Sequence, residues 1–596
     1  MMSTAPLSAS VSAAAIARPT VWALAATFAL AAPALINPNP PPMTNLFNHV
    51  AALFGWGAWL ALMASALPKR LAAWPAGFKA LLAAFGLLAS AAAISPWWTS
   101  QAPGMTLAAT GMLAAAGLTA LVGLELRQAG LGAQAFRALC IGLVVAAVAS
   151  AGIAVVQVYL PSWVDGSWIT PSSEAGRAIG NLRQPNHLCT LLLWGIVAAV
   201  WLGEARVLRR TVADAVSVFL VFGVVLSASR FGLLAVFMLA AWGILDRRLS
   251  KRTRMVLLLA PVVYGILWVG AAVWARHVNE VFLAEAKFGS ASSTFGSRVG
   301  AWTNSLSLIQ AHPWAGVGWG GFNFAWSLTE FPVRTGEFFD NAHNLFLQFA
   351  VELGIPLAAL VIGLLVLALG QAFKNSAHLR KDGEPSPDLR AAFVMLVLLL
   401  AHSQLEYPLW YAYFLLPCAF TMGLCLGMGE LQAGKGALNG PAAKPESTLR
   451  PIALILMMGA ALSVYDYFRV VVIFAIPNNP APLEQRIADG QKSWFYAHHA
   501  HYAQAMVSKD PVVEMASAQL AAHFMLDTRL MMAWADAFHT TGDTERAQYL
   551  AQRLREFHNP VSEPYFALCN DPALSEAQKP YQCSPPTRGF SYRDFR

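Results

Sequence analysis

An all-α protein threaded repeatedly through a lipid bilayer is the fold class this sequence predicts, on three observations. Of its 596 residues, 57% are hydrophobic and only 12% charged, where soluble domains carry about 25% charged residues. Mean hydropathy is +0.51. The apolar residues fall in repeated runs of about 20, the helix length that crosses roughly 30 Å of hydrocarbon. That composition excludes a soluble enzyme. The formal charge of +8, from 40 Lys and Arg against 32 Asp and Glu, does not point to nucleic acid. The basic residues cluster in short connections between apolar runs, where they set topology.

Taken in order, the apolar runs predict spans near 19–37, 46–67, 78–95, 103–124, 138–160, 188–204 and 212–228. Six more follow near 230–246, 255–275, 344–372, 390–404, 409–429 and 452–475. The first is read as a retained span, because no convincing small-residue cleavage site accompanies it. With the N-terminus inside, the even-numbered connections hold the basic residues, among them Lys69, Arg70, Arg209, Arg210, Arg247, Arg248, Lys374, Arg380, Lys381, Lys435, Lys444 and Arg450. Positive-inside bias therefore predicts a cytoplasmic N-terminus and an outer C-terminal tail.

Four outer segments result: 161–187, 276–343, 404–409 and the tail from about 476. The tail is more polar, and Ala533 to Phe557 has the helix, Gly-Asp turn, helix look of a tetratricopeptide unit, without a clean 34-residue period. Cys569 and Cys583 lie outside the membrane, where a disulfide would close a loop of about 15 residues worth ~3 kcal/mol on a chain-entropy argument. Two unpaired thiols is the other reading. Cys140, Cys189, Cys418 and Cys425 sit in or beside apolar runs as small hydrophobes.

Outer loops are poor in arginine, so those present need a reason. Arg177, Arg183, Arg230, Arg276, Arg298 and Arg334 all lie outside or at the outer boundary, with Gln184, His187, His343, His402 and Tyr407. Ser227 to Gly232 (SASRFG) interrupts two apolar runs otherwise joined without a loop. Arg230 there either snorkels to the interface or clamps an anion with its planar fork of donors. His343, in Phe339 to Pro356 (FDNAHNLFLQFAVELGIP), stands where an outer loop meets a span. A histidine at that depth is either structural or a proton acceptor working near neutral pH. Asp340 beside it is an orienting group or a helix N-cap.

These residues resemble a family. Ser229-Arg230-Phe231-Gly232, Gly296-Ser297-Arg298 with Trp302, His312 to Gly318 (HPWAGVG), Asn341 to Leu345 (NAHNL) and Glu352 to Pro356 (ELGIP) are similar to the O-antigen ligase and polymerase superfamily. Gly180 to Leu188 (GNLRQPNHL) resembles the signature of its protein-glycosylating branch, the bacterial O-oligosaccharyltransferases. The resemblance spans roughly residues 175–430 and implies a GT-C type glycosyltransferase of the bacterial inner membrane with about 13 transmembrane helices. It further implies a periplasmic active site, no cofactor and no essential metal. The implied reaction moves a preassembled glycan from undecaprenyl pyrophosphate to Ser or Thr of an exported protein such as a pilin.

On that resemblance His343 is the expected base, Arg230 and Arg298 bind the donor pyrophosphate, and Arg183 is a third cation. Gln184 and Tyr407 are the expected substrate-binding residues. Their plainer readings are a helix-capping amide and an interfacial aromatic. Asp340, His402 and Glu406 are expected to support the site from behind. The chain divides, on this reading, into a catalytic membrane domain, 1–475, and a helical periplasmic domain, 476–596. Rival functions are O-antigen ligation to lipid A core, O-antigen polymerisation, transport of the lipid-linked glycan, and a structural membrane protein whose tail docks partners. Transport should leave matched repeats or broken helices in two halves, and neither is visible.

Overall fold

The computed structural model of the chain describes residues 19–68, 73–172, 176–279, 282, 293–377, 387–427, 447–475 and 479–596. The basic residues Lys69, Arg70, Arg380, Lys381, Lys435 and Lys444 lie outside the described residues. Every apolar run read from the sequence carries helix, and one of them, 344–372, carries two. No strand occurs among the described residues.

In chain order the long helices begin with α1 Pro19–Leu35, α2 Leu46–Ala64, α3 Ala76–Ile94, α4 Pro103–Gln128, α5 Gly132–Tyr159, α6 Pro185–Glu204, α7 Arg210–Leu226, α8 Arg230–Leu245 and α9 Lys251–His277. The segment between α9 and the next membrane-type helix then supplies α10 Ser293–Ala311, α11 Phe322–Leu328 and α12 Leu345–Leu353. Membrane-type helices resume with α13 Ile355–Ala377, α14 Pro387–His402, α15 Ala412–Leu426 and α16 Leu449–Phe474. The tail holds α17 Leu483–Gly490, α18 Ala497–Val507, α19 Pro511–Ala522, α20 Thr528–Thr540 and α21 Thr544–Arg555. Eight helices are long and apolar enough to cross a bilayer, and α1, α8 and α15 are shorter apolar helices. The protein is therefore an all-helical, polytopic integral membrane protein.

Lipid tails are as apolar as leucine, so membrane helices gain by close packing through small residues. Gly123 of α4 lies against α15 so tightly that a Cβ would stand 2.5 Å from the Phe420 carbonyl, and one on Gly142 of α5 would meet Ala26 of α1 at 2.8 Å. At the centre of the body runs α6, buried along almost its whole length. Its N-terminal end opens onto the site described below.

The run expected as one span over 344–372 is two helices. They break at Gly354, whose φ of +76° is left-handed and whose Cβ would lie 2.4 Å from the Trp314 carbonyl. Only glycine fits both conditions. The segment 312–321 is bonded onto this break: Ile355 N–H donates to Pro313 O (2.7 Å), Val317 N–H to Val351 O (2.8 Å) and Gly318 N–H to Glu352 O (3.0 Å). Leu-Gly-Ile-Pro thus ends a short outer helix rather than continuing a span.

Outside the membrane body, α10 to α12 and the tail share one apolar core in which Phe322, Trp326 and Leu328 pack with Leu526, Trp534, Leu550 and Phe557. Polar links cross the same boundary. Tyr549 Oη donates to Leu328 O at 2.7 Å, and Leu526 N–H donates to Asn323 Oδ1 at 2.7 Å. Arg334 pairs with Glu556 at 3.0 Å, donates to Trp326 O at 2.8 Å and to Thr329 O, and lies 4.5 Å from the Phe557 ring. Its side chain is 2% exposed, so this arginine is a structural tie. Arg334→Ala should cost about 3 kcal/mol, the scale of breaking a buried ion pair, read as a lower melting temperature of the outer body. The tail's α20 and α21 form a helical hairpin turned at Gly542. Cys569 and Cys583 are joined as a disulfide.

Candidate active site

Three helices begin at one place, and each is capped by a side chain. Gln184 Oε1 accepts the His187 N–H at 2.7 Å and caps α6. Ser229 caps α8 by accepting from Gly232 N–H at 3.1 Å. Asn344 caps α12 by accepting from Phe346 and Leu347 N–H at 3.0 and 3.1 Å. Each helix N-terminus carries about half a positive charge, and Arg183, Arg230 and His343 sit at or just before these ends. Arg183, Ala228 and His343 are also left-handed, with φ of 60°, 49° and 48°, a conformation costly for non-glycine residues and commonest where function fixes the backbone.

The strap 402–407 ties the three ends together. Ser403 O accepts Leu345 N–H at 2.9 Å, and Gln404 O accepts from the Asn344 amide at 3.2 Å. His402 Nδ1 pairs with Thr190 Oγ1 at 2.8 Å, and its ring stacks on Phe231 with centroids 4.8 Å apart. Glu406, only 8% exposed, receives Arg298 Nη2 at 2.6 Å and Asn186 Nδ2 at 3.1 Å. Its second oxygen lies 3.3 Å from His343 Nδ1. Burial pushes the Glu406 carboxyl up, but His343 and Arg298, with a smaller contribution from His402, overcome that and hold it down at about 2. It is therefore ionised at neutral pH, and the stability it adds is present above its ordinary value and lost as pH falls toward 2.

The loop that presents His343 is fixed by its own side chains. Asn341 Oδ1 accepts the His343 N–H at 2.9 Å, while Asn341 Nδ2 donates to Asp340 at 2.6 Å. Gln348 accepts the Ala342 N–H at 2.7 Å and bonds onward to Glu352, which also takes the Gly320 and Phe322 backbone N–H groups. The Tyr407 ring stands edge-on to His343 at 5.3 Å, and its hydroxyl bonds the Asn341 side chain. Burial pushes the Tyr407 phenol well above its ordinary value, so it serves as a neutral hydrogen-bonding group.

Of the residues expected from sequence, His343, Arg298, Glu406 and Tyr407 come together directly, with Asp340 joined through Asn341. Arg230 is brought in by its neighbour: Ser229 Oγ donates to Asn186 Oδ1 at 2.6 Å, and Asn186 holds Glu406. His402 lies behind, between α6 and α8. Gln184 makes the helix cap of its plainer reading. Arg183 turns to Asn37, bonding its carbonyl and, at 2.9 Å, its side-chain oxygen. A half-buried histidine, a carboxylate, the Arg298 guanidinium and three helix N-termini are groups that can accept a proton and stabilise a polyanion.

A profile of the O-antigen ligase family matches residues 215–362, which carry Arg230, Arg298 and His343, and one of a protein glycosylation ligase matches 178–202. Over these two stretches the chain is similar to the O-antigen ligase family and its protein-glycosylating branch. A third profile, described as the C-terminal part of a virulence factor membrane-bound polymerase, matches 390–561. Relatives include a general O-oligosaccharyltransferase of Acinetobacter baylyi, 28% identical over 320 residues, covering 52% of this chain and 53% of the relative. A ComP-specific O-oligosaccharyltransferase of the same organism is 28% identical over 267 residues, 44% of this chain and 46% of the relative. The chain spans about half the length of the curated relatives it matches.

Sequence reading passed over Asn186, which links two helix N-termini to Glu406. Its place in the first turn after Gln184-Pro185 was the available signal, since a polar side chain there has helix-end groups within reach. Gln348 was also passed over, because a glutamine inside an apolar helix is commonplace until its partner, the Ala342 amide, is known.

Proposed function

We propose that the protein is a bacterial O-oligosaccharyltransferase of the inner membrane. On this reading it transfers a glycan en bloc from undecaprenyl pyrophosphate to Ser or Thr of an exported, pilin-like protein. The acceptor oxygen attacks the anomeric carbon, the bond from that carbon to the diphosphate oxygen breaks, and the hydroxyl proton passes to His343. Arg230 and Arg298 receive the negative charge that collects on the leaving lipid diphosphate, and Arg183 could join them only by giving up Asn37. Gln184 and Tyr407 bond sugar or phosphate oxygens. The observation that supports this reading best is His343 beside Glu406 and Arg298 at the meeting of three helix N-termini.

The same reading takes the body as a GT-C type catalytic domain, 1–475, of about 13 spans, and 476–596 as a periplasmic domain bracing its outer loop. The N-terminus is then cytoplasmic, and the site and tail periplasmic. Single cysteines at Thr303 and Lys509, both exposed, should react with a membrane-impermeant maleimide in intact spheroplasts; labelling only after lysis would overturn the topology. Activity is tested with purified protein in lipid vesicles, an undecaprenyl-pyrophosphate glycan and an exported acceptor protein. A mass increase of the protein acceptor is expected. Transfer to lipid A core or to a second lipid-linked glycan would instead mark a ligase or polymerase.

A further inference from the structure

Glu406 presents a difficulty for an anion clamp: Arg298 is already bonded to a carboxylate 2.6 Å away. That carboxylate also lies 3.3 Å from His343 Nδ1. The histidine contact is long and poorly aligned, so Nδ1 makes at most a weak bond to this carboxylate. Oε1 takes both Arg298 and Asn186, which draws the carboxylate toward them and away from the imidazole.

We propose that Glu406 is a positioning residue that yields Arg298 to the donor diphosphate, so that donor binding itself aligns His343 for proton removal. This deepens the reading of His343 as base and Arg298 as diphosphate ligand, and rests on it. A diphosphate offers more charge and more oxygens than one carboxylate, and the guanidinium fork matches phosphate geometry. Once Arg298 turns, Asn186 still holds Glu406, because Ser229 fixes Asn186 in turn at 2.6 Å. The carboxylate then has His343 as its remaining close cation-forming partner and can complete the Nδ1–H bond. This sets the tautomer that leaves Nε2 to accept a proton. When the acceptor proton arrives, the imidazolium forms beside an anion, so no uncompensated charge appears. Catalytic contacts are commonly long in a free enzyme and tighten in the complex.

The charged and titratable groups around His343 are Glu406 and Tyr407 from the strap, Asp340 from its own loop and Arg298 from α10. Glu406 is held at about 2 despite its burial, so it is an anion throughout the working range.

Glu406→Gln keeps the shape and removes the charge. With inorganic pyrophosphate as the competing probe, the variant should bind pyrophosphate about fivefold tighter than wild type, because Arg298 is no longer occupied. Its kcat should fall at least about tenfold. The low-pH limb of its rate profile should move to lower pH, since the imidazolium has lost its anion. A scaffold residue would weaken pyrophosphate binding and rate together, and that result overturns the proposal. Glu406→Asp, one methylene shorter with the charge kept, should return the limb toward its wild-type position while remaining slow; a limb as displaced as that of Glu406→Gln would also count against it. Failure of the underlying base assignment is read separately. A limb that persists in His343→Gln removes His343 as base, whereas a limb unmoved in Glu406→Gln overturns the exchange alone.

Discussion

A His343→Ala enzyme is expected to transfer glycan about 10² to 10⁴ times more slowly than wild type, the range a positioned base contributes. An alcohol is a poor nucleophile until its proton has somewhere to go, and the imidazole is the group beside Glu406 that can take it. Membrane insertion and donor binding should survive, because a base acts in the transition state more than in the ground state. Backbone strain complicates alanine here, since position 343 is left-handed. His343→Asn is the sharper variant: asparagine tolerates that conformation and keeps hydrogen-bonding capacity without basicity. If His343 only fixes the loop, the Asn enzyme should run near wild-type rate; if it is the base, Asn and Ala should be equally slow. Turnover of both variants with a saturating lipid donor decides it.

Arg298→Lys should lower kcat/KM for the donor by about 10², comparable to removing one preorganised oxyanion donor. Lysine keeps the charge and loses the planar fork that grips two phosphate oxygens. Arg230→Lys should behave similarly, because its helix begins where Ser229 meets Asn186. Arg276→Lys is the control: that residue is exposed at the end of α9, and the change should leave the rate within about twofold. Arg334 cannot serve as a second control, since its guanidinium is buried against Glu556 and Phe557. Donor titrations at fixed acceptor would measure all three, and equal tolerance at 230, 298 and 276 would remove the anion clamp.

Much of the architecture was legible because hydrocarbon imposes a length. A run such as 138–160 can be little but helix, and α5 occupies it. The site was legible where chemistry was out of place, as with Arg230 between two apolar runs or His343 at the mouth of one. What could not be read depended on partners distant in sequence. Gly354 looks like one more small residue in an apolar run until Trp314 is seen pressed against it. Arg334 and Arg298 are both outer arginines by sequence, yet one meets Glu556 in the tail and the other Glu406 in the site. Only three-dimensional neighbours separate the two.

The apolar core shared by α10 to α12 and the tail also has a temporal meaning. Phe322, Trp326 and Leu328 leave the ribosome long before Leu526, Trp534, Leu550 and Phe557, the residues they pack against. Domains fold as units once their residues are all present. The loop carrying His343 is anchored on this late-completed core through Asn323, whose amide donates to Phe339 O at 3.1 Å while its carbonyl holds Leu526. A nascent chain that has threaded most of its helices into the membrane therefore still lacks a set histidine. The setting of that loop depends on contacts that residues 526–557 complete, after the last membrane helix has been made.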